Sequence, residues 1–170
     1  TYGSILSWLQ SKLGKFDSKE IAELTSTDTI NFEDIGNKKT AVYVISSDTH
    51  TAYDFLLTIF FSQMIQQLYN FADDNGGRLK VPTYFILDEF ANMPPLKDVD
   101  AMVSAARSRD IRFTFIIQNF AQLNDVYGDN VAEIIKGNCG NIVYLISTEM
   151  KALEEISKTC GEVNVTDEKD

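Results

Sequence analysis

Tyr84-Phe85-Ile86-Leu87-Asp88-Glu89 is a run of four apolar residues that ends in two adjacent carboxylates. Pro82 stands before it, and Pro94-Pro95 closes the segment after it. A short unbroken apolar run between such breakers predicts a strand buried on both faces, as in a parallel sheet. Ligands of open parallel sheets gather at the carboxyl ends of the strands. Asp88 and Glu89 fall at that end.

The arrangement is the Walker B pattern of nucleotide-hydrolysing enzymes, and the chemistry accounts for the residue types. An Asp at a strand tip can hold Mg²⁺, usually through water, because this hard ion keeps much of its hydration. The adjacent Glu lies on the other side of the pleat and can orient or deprotonate an attacking water. Taken alone, the pair fits equally well a strand that simply ends in an acidic loop.

Working outward, other segments alternate between strand and helix patterns. Upstream, Ala41 to Ser46 predicts a strand, and a helix follows from about His50 to Ala72 with Phe55, Leu56, Ile59, Phe60, Met64, Ile65 and Leu68 on one wide face. Ser47-Asp48-Thr49 offers capping side chains for it. His50, the only histidine, falls in its first turn, where the positive helix end disfavours protonation; a surface or capping role is expected. Asp73 to Gly77 reads as a turn. Downstream, Val99, Met102, Val103 and Ala106 mark a helix that ends near Arg107-Ser108-Arg109-Asp110, and Arg112 to Gln118 is the next strand. Helices are predicted at about Phe120 to Val126 and Asn130 to Lys136, a strand at Asn141 to Ser147, and a helix from Glu149 to Thr159, capped by Thr148 and stopped by Gly161. The acidic tail from Glu162 is expected to fray.

At the other end, Ile5, Trp8, Leu9 and Leu13 lie at helical spacing within Tyr2 to Leu13, predicting an amphipathic helix that packs on the domain. Ser18 can cap a shorter helix, Lys19 to Leu24. Ile30 and Phe32 suggest a short edge strand. Gly36-Asn37-Lys38-Lys39-Thr40 has the residue types of a phosphate loop. That loop needs G-x-x-x-x-G-K-[ST] opening a helix, however, and here the second Gly is missing and a strand follows. An ordinary polar turn is the expectation. Strands alternating with helices give an α/β fold with a mostly parallel sheet.

Composition narrows the function classes. The 170 residues suit one domain with a sizeable core, and the apolar fraction of 44% is that of a globular protein. A net charge of −10 argues against non-specific nucleic-acid binding by the surface as a whole. Cys139 and Cys160, the only cysteines, have neither metal-ligand spacing nor a disulfide-rich context, which fits a reducing cytoplasm. The opening residues carry no secretory signal pattern. The longest apolar cluster, Phe55 to Phe61, is too short to span a bilayer.

Three polar features are placed at the carboxyl edge by this reading: Asp88-Glu89, the Arg107/Arg109 pair and Gln118. In a nucleotide hydrolase a strand-tip Gln can sense the γ-phosphate or the attacking water, and an Arg can act across a subunit boundary as an arginine finger. A strand-end Gln and a solvated basic turn beside Asp110 are the plain alternatives.

The stretch Phe85 to Leu123, with Leu-Asp-Glu-Phe-Ala-Asn, Ala-Arg-Ser-Arg-Asp-Ile and Ile-Ile-Gln-Asn-Phe-Ala-Gln-Leu, resembles the TraG/TraD-type coupling proteins, ATPases of type IV secretion and conjugation. Glu23-Leu24-Thr25, Lys38 to Ala41 and Tyr127 through Cys139 extend the resemblance over nearly the whole chain. The resemblance implies a RecA-like P-loop NTPase motor that assembles as a hexamer at the cytoplasmic side of the bacterial cell membrane. Such a motor recruits the relaxase-bound DNA strand and uses ATP and Mg²⁺ to drive transfer through the secretion channel. By motif position Asp88 is the Mg²⁺-associated acid, Glu89 the catalytic one and Gln118 the strand-tip sensor; Arg107, eleven residues before that Gln, is preferred to Arg109 as the arginine. The family's phosphate loop and membrane helices have no counterpart here. The chain is therefore expected to be the C-terminal part of the motor domain (26–161), incomplete for lack of the Walker A part. Residues 1–25 would be the tail of an inserted helical domain, and 162–170 an acidic tail. It is expected to hold no ATP by itself. An FtsK-like or HerA-like DNA translocase, or a non-catalytic interaction domain of the same fold, shares several of these features.

Overall fold

The computed structural model describes residues 2–46, 53–146 and 149–161. The chain divides into two compact units, 1–31 and 32–170. The first holds α1 (Tyr2–Leu13) and α2 (Lys19–Thr25). Ser18 caps α2 as its position predicts, its hydroxyl accepting from the Ile21 N–H at 3.4 Å. None of the residues of α1 is buried.

The second unit opens with α3 (Phe32–Asn37) where a short edge strand was expected. Glu33 and Asp34 in its first turn complement the helix dipole and favour the helix. Gly36 explains its close seat. A Cβ there would stand 2.7 Å from Leu79 Cδ2 and 3.3 Å from Leu68 Cδ2. The Gly36 carbonyl accepts from Val81 N at 3.0 Å, tying α3 to the chain that enters the sheet. Lys38 is paired with Asp34 at 2.9 Å, and the Thr40 hydroxyl donates to the Asp34 carbonyl. The stretch thus closes a helix instead of opening one.

Helix α4 (Asp54–Asp74) buries Phe61, Met64, Ile65, Leu68 and Ala72, the three-and-four spacing of one helical face. The sheet consists of β1 (Thr83–Leu87) and β2 (Ile111–Phe115), joined in parallel through α5 (Val99–Ala106), with Thr83 opposite Ile111 and Leu87 opposite Phe115. The helices α6 (Phe120–Tyr127), α7 (Asp129–Asn138) and α8 (Met150–Cys160) follow. Leu68, Phe85, Phe90, Val103, Ile111, Leu123 and Ile135 belong to one continuous core. Burying each large apolar side chain there contributes about 1.5–3 kcal/mol.

Two features differ from expectation. First, β1 is buried on one face only. Thr83, Phe85 and Leu87 face the core, whereas Tyr84 and Ile86 are 59% and 69% exposed. The apolar run predicts cover on both sides, and the described helices supply it on one. Second, 41–46 and 141–146 form no regular strands. The first segment lines a groove of 630 Å³ along β1, the second a groove of 240 Å³ along the end of β2. Their outward residues, such as Tyr43 (87% exposed) and Leu145 (84%), gain nothing by burial, so the drive to close a ladder is weak. Among the described residues the α/β class and the parallel pairing hold with two strands in place of four. No helix among the described residues is long and apolar enough to cross a membrane. The expected caps at Ser47-Asp48-Thr49 and Thr148, His50 and the tail from Glu162 lie outside the described residues.

Candidate active site

The end of β1 is a sharp turn. Glu89 has φ 48° and ψ 44°, the left-handed region that costs a non-glycine residue on the order of 1 kcal/mol or more. Three hydrogen bonds and two ring contacts hold it there. The Asp88 carboxylate accepts from Glu89 N–H at 3.1 Å. Phe90 N–H donates to the Ile116 carbonyl at 2.9 Å, and Ile116 N–H to that of Leu87 at 3.0 Å, so the ladder runs on past both strands. The Phe90 ring is fully buried, stacked on Tyr127 at 5.2 Å and tilted against Phe115 at 4.6 Å. The residue after the carboxylates therefore fastens the turn to the core and leaves the carboxylates outside.

Both Glu89 oxygens are engaged. Gln118 Nε2 donates to Oε1 at 3.3 Å, and Asn92 Nδ2 donates to Oε2 at 2.9 Å. Gln118 stands just beyond β2; next to it Asn119 caps α6, accepting from Gln122 N at 2.8 Å. Asp88, Glu89 and Gln118 thus come together at the carboxyl edge, as their strand-end positions predict. Asn92 is an addition. It closes a 3-10 turn, Phe90–Asn92, whose three residues per turn bring Asn92 back under Glu89. The spacing Asp-Glu-x-x-Asn after an apolar run is the sequence signal for it. Asp88 takes no side-chain partner among the described residues beyond the Glu89 N–H.

Arg107 and Arg109 are not part of this cluster. They occupy a 3-10 turn, Arg107–Arg109, just before β2. In a parallel pair the residues before a strand lie at its amino end. The Arg109 carbonyl accepts from Leu79 N at 3.1 Å, in the segment leading into β1, and that of Asp110 from Thr83 N at 3.0 Å, the first residue of β1. At about 3.3 Å per residue the two sheet edges are roughly 16 Å apart, a gap no arginine side chain bridges. The shared carboxyl edge expected for all three features is therefore corrected: α5 runs back along the sheet and delivers its arginines to the opposite side.

The two arginines also differ from each other. The Arg109 guanidinium pairs with Asp73 through Nη2 at 2.9 Å and Nε at 3.0 Å, donates to the Ala105 carbonyl at 3.3 Å, and lies 4.9 Å above the Tyr69 ring. Burial pushes the Tyr69 hydroxyl pKa up to about 12, against the pull of the Arg109 charge. Arg107 is exposed, and its side chain has no ion pair or hydrogen bond among the described residues.

All 170 residues match the family model described as type IV secretory system conjugative DNA transfer. The chain is 26% identical over 139 residues to Protein VirD4 of Agrobacterium fabrum, covering 81% of this chain and 20% of that protein. It is 25% identical over 146 residues to Conjugal transfer protein TraG of the same organism, covering 85% of this chain and 22% of the relative. The chain thus spans about a fifth of the length of the curated relatives it matches. No solved structure matches it. Matched over its whole length, the chain belongs to the type IV secretory system conjugative DNA transfer family.

Proposed function

We propose that this chain carries the hydrolytic part of the nucleotide site in a RecA-like coupling ATPase. The complete protein would be a hexamer at the cytoplasmic side of the membrane that recruits relaxase-bound DNA and drives it through the secretion channel. The observation that carries the proposal is the Glu89 carboxylate, held by amide donors from Asn92 and Gln118 one residue beyond Asp88 at a strand tip. Family membership and the VirD4 and TraG relatives support the setting in conjugative transfer.

In this reading Glu89 orients the attacking water and takes its proton, and the two amides keep the carboxylate aimed. A carboxylate has about four acceptor sites, so two amides leave room for a water. Gln118 steers the same water toward the γ-phosphate. Asp88 would hold Mg²⁺ through water. The donor type fits, because Asp88 is an exposed carboxylate directly after β1, and Mg²⁺ is commonly held by one or two carboxylates while it keeps several waters. Bound with ATP, the ion supplies charge neutralisation at the β- and γ-phosphates. Arg107, at the far edge, serves the nucleotide of a neighbouring subunit.

The decisive experiment is Glu89→Gln in the complete protein, measuring ATP affinity and steady-state hydrolysis together. Retained affinity with turnover lowered about 10²–10⁴-fold is expected. Near-normal turnover would remove Glu89 from the role. This chain by itself should bind ATP with a dissociation constant above about 10 μM, because nothing in 36–40 is arranged to cradle phosphate. A tighter constant by calorimetry contradicts that.

A further inference from the structure

Arg107 and Arg109 sit two residues apart on one 3-10 turn, so they point roughly 120° apart. Fixing one fixes the other. Arg109 is fixed in four ways: two nitrogens on Asp73, a third on the Ala105 carbonyl, and its plane over Tyr69. Tyr69 is itself tied down, its hydroxyl donating to the Met102 carbonyl in α5. The backbone of the turn is held from the other side by Leu79 and Thr83. Arg107 is left projecting.

We infer that Arg109, clamped by Asp73 and Tyr69, is a positioning residue that sets the reach of Arg107 toward a neighbouring subunit. This rests on the proposal that Arg107 acts in trans. Arg109 touches no nucleotide. Asp73 and Tyr69 belong to α4, so the long helix determines how far Arg107 stands out from the sheet edge. Lys cannot replace Arg109, because a single ammonium neither forks onto Asp73 nor stacks on Tyr69. A shift of about 1 Å in such a group can cost on the order of 100-fold in rate.

The test is complementation among subunits of the complete protein, with mixed hexamers verified. The control mixes Arg107→Ala with Glu89→Gln; recovered hydrolysis is expected. Its absence overturns the trans reading, and this inference with it. Arg109→Lys subunits alone should lose on the order of 10- to 100-fold in kcat with an unchanged KM for ATP. Mixed with Glu89→Gln they should recover, because their own nucleotide site is intact. Mixed with Arg107→Ala they should not, because neither partner supplies a placed arginine. Asp73→Asn should repeat the pattern. With the control positive, failure to complement Glu89→Gln marks a general fold defect, and normal activity of Arg109→Lys alone marks an idle contact; either result overturns the clamp.

Discussion

The two edges of the β1–β2 pair are built in opposite ways. At the carboxyl edge the polar groups touch mainly one another: Asp88, Glu89, Asn92 and Gln118 are all exposed, and the fold holds them through backbone and the buried Phe90 ring. At the amino edge the polar groups are themselves part of the packing, with the Arg109 side chain only 24% exposed between Asp73 and Tyr69. The first design suits groups that must meet a ligand and change partners. The second suits a mount that must not move. The difference assigns the two arginines that share a turn to unlike tasks, one bolted in place and the other offered outward.

The contrast can be broken by stability measurements on this chain. The largest effect is expected from Phe90→Ala, which removes the ring that fastens the carboxyl edge to the core and should cost about 3–5 kcal/mol in urea unfolding. A cost below about 1 kcal/mol would mean that the edge is not anchored there. Arg109→Ala should cost about 1 kcal/mol, mainly through the guanidinium lost from the Tyr69 ring, because Asp73 is exposed and stays hydrated without its partner. Tyr69 also has a pH signature, which comes from its burial and which the Arg109 charge opposes. The Tyr69 pKa is raised from 10.0 to about 12. The folded state therefore holds its proton more tightly than the unfolded chain. The associated stability is present below pH 10 and lost as the pH rises from 10 toward 12. Tyr69→Phe should flatten that part of the pH–stability curve, and an unchanged slope would contradict the assignment. Glu89→Gly should raise stability by on the order of 1 kcal/mol through relief of the left-handed turn, while abolishing turnover in the complete protein. The smallest change is expected from Asn92→Ala: below about 0.5 kcal/mol, since an exposed amide–carboxylate contact contributes little. Turnover in the complete protein should nonetheless fall several-fold, and a large stability loss without a rate effect would recast Asn92 as structural.

Much of this site is legible in the sequence because the signals are local. Asp88 and Glu89 follow directly from an apolar run between prolines. Gln118 follows from the end of the next such run. The position of the arginines is different in kind. Their place before β2 is plain in the chain, but which edge that is depends on the direction of the helix leading to them. A parallel connection must return the chain to the starting edge, and that rule, applied to α5, decides against a shared edge. The Arg109 clamp depends on Asp73 and Tyr69, thirty-six and forty residues earlier, and no spacing pattern links them. The four-strand expectation failed for a reason of burial. Residues 41–46 and 141–146 have strand-like composition, yet composition records what a segment could pair with and not whether something covers its outer face.

Gly36 has a consequence for anyone scanning this family by substitution. Its missing side chain leaves room for the Leu79 and Leu68 methyl groups, and adding even one carbon forces Leu79 to repack inside a filled core, at about 1–3 kcal/mol. Such a scan would score Gly36 as intolerant, with the tolerant Lys38 and Thr40 close behind it. Gly137 and Gly140, where an added carbon meets nothing within 4 Å, should accept alanine without complaint. The intolerant glycine of Gly-Asn-Lys-Lys-Thr would then look like the remnant of a phosphate-gripping loop, when what it preserves is the space between a helix and two leucines.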